Sequence, residues 1–194
     1  MVNPDHKFPL SKNKSIKGSR HLAREKVLQV LAAGLDGEIS LDQVFPHVFY
    51  RQFTFDTDNQ TETGSRILRP EEVVELEADV PIEWAQEDLD YAVTVIRSAR
   101  DNKDQTTELL ERNAQNWDVE RIATLDKVLL LLAVTELTAC ADIPIKVTIN
   151  ETIELAKRYS TDKSGTFING ILDAIVTQLK EAGKIHKRGR GLIE

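Results

Sequence analysis

From residue 125 to residue 137 the chain carries Leu125, Val128, Leu129, Leu132, Ala133 and Leu137, with Leu130, Leu131 and Val134 between them. A helix with this pattern is apolar nearly all round, so one neighbour cannot bury it. It must stand inside a fold with other helices on several sides. That requirement decides how the rest of the chain is read.

Other segments supply helices with one apolar side. From Ser19 onward, Ala23, Val27, Leu28, Val30, Leu31 and Leu35 share a face, with an end expected near Gly34 or Gly37. His21, Glu25 and Gln29 fall opposite, whereas Arg24 projects toward the apolar stripe and must snorkel or find a partner. Ser40 is a plausible N-cap for a second helix through Val44, Val48 and Phe49, which would tolerate Pro46 only in its first turn. Residues 54–70 read as a turn-rich loop and 71–76 as a short helix or an acidic spacer. Pro81 opens a longer helix in which Leu89, Ala92, Val93, Ile96 and Ala99 recur until Asp101-Asn102 interrupts them, and a short helix fits 105–113. After Pro144 the pattern resumes with Val147, Ile149, Ile153 and Ala156; Thr148 and Glu151 match a capping box, but a start at Pro144 is equally compatible. Past the connection Tyr159-Ser160-Thr161-Asp162, the last helix carries Phe167, Ile168, Ile171, Leu172, Ile175, Val176 and Leu179, and Gly183 stops it. No strand-like alternation or internal repeat emerges, so an all-α fold is expected.

A chain of 194 residues can bury a core without disulfides, and its single cysteine, Cys140, has no partner thiol. Cys140 is read as an inert core or helix-end thiol in a reducing compartment. Neither a signal peptide nor an apolar stretch of membrane-spanning length is present, which points to the cytoplasm and to no membrane partner. The net charge of -7 is unevenly spread. Lys7, Lys12, Lys14, Lys17, Arg20, Arg24 and Lys26 load one end and Lys180, Lys184, Lys187, Arg188 and Arg190 the other, with acid concentrated between Asp36 and Glu120. The expected organisation is a flexible basic arm over residues 1–18, a helical domain over 19–183 with an enlarged acidic region at 36–81, and a basic tail over 184–194. Such a chain presents a basic face if its two ends meet.

Catalytic and metal chemistry find little footing. His6, His21, His47 and His186 show no ligand spacing, and no phosphate-cradling glycine loop precedes a helix. Asp56, Asp58, Gln60 and Glu62 alternate like a calcium loop, but Thr61 stands where that loop needs glycine. A non-enzymatic binding protein without cofactor or metal is expected. Two features stand out in the last helix. Gly170, after Asn169, sits in a strongly periodic helix where glycine costs about 1 kcal/mol relative to alanine, so either close helix packing or close approach of a partner or RNA backbone should compensate. Phe167, preceded by Lys163, Ser164 and Thr166, is either a core aromatic or a stacking surface beside donors and positive potential at a helix N-terminus.

The run Asp142-Ile143-Pro144-Ile145-Lys146-Val147-Thr148-Ile149-Asn150-Glu151-Thr152-Ile153-Glu154-Leu155-Ala156-Lys157, followed by Ser164 and Phe167-Ile168-Asn169-Gly170-Ile171-Leu172-Asp173, closely resembles the NusB transcription antitermination family. The likeness extends over about residues 118–176 and more weakly over 19–31, where Arg20-His21-Leu22-Ala23-Arg24-Glu25 is similar to the family's arginine-rich first helix. It implies a NusB-like fold of about seven helices in two packed helical subdomains. It also implies a non-catalytic, RNA-binding function: recognition of boxA-like single-stranded RNA of rRNA leader transcripts together with NusE, a small-subunit ribosomal protein, within an antitermination complex with RNA polymerase. On this resemblance Arg20, His21, Arg24, Lys163 and Phe167 take RNA-binding positions, and Glu120 and Asp126 match acidic positions near the protein partner. Leu22 replaces a further arginine, and Leu131 and Thr135 stand where the family often carries arginine and tyrosine. Two other readings are an RNA-targeting domain of an rRNA methyltransferase, for which a chain ending at Glu194 leaves no room for the catalytic part, and a purely protein-binding helical scaffold.

Overall fold

The computed structural model describes residues 16–34, 41–50, 82–113 and 122–187. Seven helices lie among them: α1 (Arg20–Ala33), α2 (Leu41–Tyr50), α3 (Gln86–Asp101), α4 (Lys103–Asn113), α5 (Thr124–Ala139), α6 (Ile145–Tyr159) and α7 (Ser164–Glu181). Two short strands, β1 (Ile16–Lys17) and β2 (Ile82–Glu83), pair in parallel. The expectations for 1–15, 54–76 and 188–194 fall outside the described residues.

The all-round apolar helix is α5, and it occupies the place its sequence demands, packed against α1, α3, α4, α6 and α7. Leu129, Leu130, Leu132, Ala133, Val134 and Leu137 are buried from different sides by these neighbours. Each fully buried leucine contributes roughly 1.5–3 kcal/mol, so this helix anchors the core. The amphipathic α1 brings Ala23, Val27, Leu28, Val30 and Leu31 to the same core, capped at its start by Ser19, whose hydroxyl accepts from the Leu22 amide at 3.2 Å, and closed at Gly34.

Pro46 lies inside α2, past the first turn that the sequence would have allowed it. The lost backbone donor is offset by tertiary packing. Phe45 stacks on Phe49 with ring centroids 4.3 Å apart, Phe49 meets Trp84 at 5.2 Å, and Trp84 Nε1 donates to the Phe49 carbonyl at 3.0 Å.

The paired strands were not foreseen, because two residues are too few for alternation to be read. Ile16 pairs with Ile82 and Lys17 with Glu83, and the Gly18 amide donates to the Glu83 carbonyl at 2.8 Å. The last residues of the basic arm are therefore fastened to the entry of α3. Gly18 is needed here, since a Cβ would stand 2.5 Å from the Trp84 ring.

Of the two possible starts for α6, the upstream one is used: Pro144 occupies the N-cap position and Thr148 and Glu151 lie within the helix. At the other end, α7 stops before Gly183, whose φ of 64° is the left-handed conformation that glycine adopts without strain. No helix among the described residues is long and apolar enough to cross a membrane.

Candidate functional site

The cations of α1 are arranged in order of depth. Arg20 donates from Nε to Asp88 Oδ1 at 2.8 Å and from Nη2 to the Glu87 carbonyl at 3.2 Å, with its guanidinium 4.5 Å above the Tyr91 ring. His21 faces outward, its Nδ1 2.7 Å from Glu151 Oε2 on α6. Arg24 turns inward, as its register on the apolar stripe requires, and is buried.

Its partner is Glu136, a fully buried carboxylate in the second half of the apolar α5. Arg24 Nε and Nη2 donate to the two Glu136 oxygens at 2.7 and 3.2 Å, Thr148 Oγ1 from α6 donates to Oε1 at 2.6 Å, and the Tyr91 hydroxyl from α3 donates to Oε2. Four helices thus meet on one fully buried acid whose acceptor sites are filled, the condition under which a buried charge is tolerated. Burial works against the charge of Arg24, but the Glu136 carboxylate outweighs it and keeps the guanidinium more firmly protonated than usual. Burial, reinforced by Glu136, pushes the Tyr91 phenol well above its ordinary range, so it remains a donor.

The end of α5 is closed by a residue of the tail. Lys187 Nζ donates to the Cys140 carbonyl at 2.7 Å and to the Glu136 carbonyl at 3.4 Å, and burial draws its pKa down from the usual lysine range. Cys140 lies beside it at the helix end, its thiol pushed up to about 11 by burial and the nearby Glu136 and Asp142. It is the helix-end thiol that the sequence suggested, held in its protonated, unreactive form.

On the outer side, α1 continues to the end of α6. Arg158 Nη1 donates to Glu25 Oε2 at 2.9 Å while its guanidinium lies 5.1 Å from the Tyr159 ring. Partial burial and a hydrogen bond with Glu25 raise the Tyr159 phenol to about 12. The turn that follows is fixed from below by Asp126 of α5, which accepts from Ser160 Oγ at 2.6 Å and Ser164 Oγ at 2.8 Å. His21 on α1, Arg158 and Tyr159 at the end of α6 and Lys163 at the start of α7 are exposed, and the Glu25–Arg158 pair ties α1 to the end of α6.

Several expected contact residues take other positions. Arg24 is 3% exposed and its Nε and Nη2 are engaged by Glu136, so only Nη1, 3.4 Å from Glu151 Oε2, is left for another acceptor. Phe167 is 8% exposed within the hydrophobic core, the first of its two readings, and offers no open stacking face. Asp126 is buried under the Ser160 and Ser164 hydroxyls instead of projecting toward a partner. Glu120 lies outside the described residues. Gly170 is exposed, and a Cβ there would meet nothing within 4 Å, so close helix packing does not account for it. Of the expected contact residues among those described, His21 and Lys163 are exposed and Arg20, next to His21 at the entry of α1, is half-buried.

Residues that sequence reasoning passed over include Glu136, Glu151, Arg158 and Tyr159. Glu136 had a signal, an acid within the apolar run of α5 after Val128, with an inward Arg24 needing a partner. Arg158 and Tyr159 offered a cation beside an aromatic, but they were absorbed into the end of a helix. A separate groove of about 740 Å³ between α4 and the C-terminal parts of α3, α5 and α7 is lined by Leu109, Arg112, Val134, Leu179 and His186, and by none of the expected contact residues. Among the described residues, no group of His, Cys, Asp and Glu is placed to hold a metal ion.

Comparison with known proteins gives the same picture from outside. The NusB family model matches residues 51–177. The chain is 43% identical over 114 residues to the transcription antitermination protein NusB of Salinibacter ruber, covering 59% of this chain and 71% of that protein. It is 40% identical over 134 residues to that of Syntrophus aciditrophicus, covering 66% and 80%. Among solved structures, NusB of T. maritima superposes with a TM-score of 0.61 at 29% identity, covering 84% of this chain and 94% of that one. A structure of the antitermination factors NusB and NusE in complex with dsRNA superposes at 0.57 with 20% identity, covering 82% and 96%, which is likeness of fold.

Proposed function

The chain belongs to the NusB family, and from that premise we propose that it is a transcription antitermination factor that binds boxA-like single-stranded RNA of rRNA leader transcripts together with NusE. It acts as an adaptor in the cytoplasm, without catalysis or cofactor, in a complex that includes RNA polymerase. The match of the family model across residues 51–177 carries this reading. The relatives named as antitermination proteins support it, and so does the fold shared with a NusB that was solved with NusE and RNA.

Within this function the described surface takes the following roles. His21 and Lys163 contact RNA, with Arg20 beside His21; Arg158 and Tyr159 at the end of α6 add a cation and an aromatic face suited to an unstacked base. Arg24 and Phe167 act from beneath, Arg24 by fixing α1 through Glu136 and Phe167 by seating the first turn of α7 in the core. Asp126 serves the partner surface indirectly, by holding the turn between α6 and α7, and Glu120 remains a proposed partner contact.

Co-migration tests the assembly. The purified chain mixed with NusE and a boxA RNA is expected to elute as one ternary species on size exclusion. Elution of three separate components, or the same complex with a scrambled RNA, would contradict it.

A further inference from the structure

Arg20, His21 and Arg24 of α1 each already have an acid on them. The acids differ in how firmly they are held. Glu136 is completely buried beneath Arg24, and Asp88 beneath Arg20 is 12% exposed along its side chain. Glu151 is 29% exposed, and it alone bridges two cations: one oxygen, Oε2, lies 2.7 Å from His21 Nδ1 and 3.4 Å from Arg24 Nη1. Arg24 does not depend on it, because Glu136 already takes its Nε and Nη2 in a two-point bond.

We infer that Glu151 occupies, in the free protein, the position where a backbone phosphate of the RNA binds, and that the phosphate displaces it from His21 and Arg24. The inference rests on the RNA-binding reading above. A carboxylate and a phosphodiester present the same kind of anionic acceptor to an imidazole and a guanidinium, so either can complete this pair of donors. The side chain that must leave is the most exposed of the acids, at the edge of α6, and its departure leaves Arg24 neutralised by Glu136. RNA then enters by exchanging one ion pair for another, with little net gain from this phosphate. That exchange discounts sequence-independent attraction and leaves discrimination to contacts with the bases.

Glu151→Gln is the test, with Glu154→Gln as control, because Glu154 is also on α6 and its removal changes net charge equally, but among the described residues it pairs with Lys157 and not with α1. Titrations use a boxA RNA and a scrambled RNA of the same length. Glu151→Gln is expected to tighten both RNAs by a similar factor, about three- to tenfold, because no carboxylate then has to leave before the phosphate binds. Glu154→Gln should change neither by as much as twofold, and His21→Ala combined with Glu151→Gln should lose most of the gain. Glu151→Asp, which withdraws the carboxylate by one methylene, should fall between and decides the matter if the glutamine variant does not fold.

Unchanged or weaker binding by Glu151→Gln, or an equal gain from Glu154→Gln, overturns the inference. A gain on both RNAs with no preference for boxA in any variant leaves the phosphate position standing and removes the boxA function. Absence of RNA binding by every variant removes both.

Discussion

At the scale of single residues, the strongest commitment in the structure is the burial of Arg24 with Glu136. Breaking such a pair from one side leaves an uncompensated charge in the core and costs about 3–5 kcal/mol, a large part of the stability of an ordinary domain. Arg24→Met should lower the urea midpoint accordingly. Adding Glu136→Gln should recover part of the loss, since the amide oxygen still accepts from one of the Tyr91 and Thr148 hydroxyls and the amide NH2 donates to the other, without leaving a charge. A midpoint within a few tenths of wild type for Arg24→Met would mean that the pair is not buried in solution. Charge reversal at Arg24 is for the same reason a poor probe of RNA contact. Gly170 makes the opposite prediction. It is exposed in mid-helix with open space around it, so Gly170→Ala should raise stability by about 1 kcal/mol. Thermal unfolding measures this, and a destabilised variant would contradict the open surface seen around residue 170.

At the scale of elements, helix identity followed from periodicity wherever a helix had a distinct apolar face or, as in α5, none but apolar faces. Ser19 and Gly183 marked ends because capping and left-handed backbone are local chemistry. Boundaries failed where tertiary contacts decided them. The aromatic cluster of Phe45, Phe49 and Trp84 carries α2 through Pro46, and Pro144 outbids the Thr148 box because Thr148 is spent on Glu136. The site was legible in the same uneven way. The register of Arg24 announced a missing partner, but a partner 112 positions away is a property of packing and not of spacing. Lys187 was read as part of a solvated basic tail, yet it closes α5. Lys187→Met should cost about 1–2 kcal/mol by taking from the Cys140 carbonyl its closer donor and leaving only the longer bond from the Ile143 amide. Proton exchange at the last amides of α5 should rise with it, and protection equal to wild type would show that the tail does not hold the helix.

At the scale of the whole molecule, a net charge of -7 and an RNA-binding function are compatible because charge acts locally. The buried network sets α1 on α3, α5 and α6, and the Glu25–Arg158 pair carries its outer face to the end of α6. The Asp126 bonds then fix where α7 begins, so His21 and Lys163 are held on rigid elements. A surface on which Arg20 and His21 already have acids on them should bind RNA modestly alone and gain from a protein partner that adds contacts of its own. Equilibrium titration of a fluorescent boxA RNA and its scrambled counterpart, at two salt concentrations and with and without NusE, tests that claim most directly. The account predicts a preference for boxA that NusE strengthens, with affinity for both RNAs falling as salt rises; equal affinity for the two RNAs in the presence of NusE would contradict it.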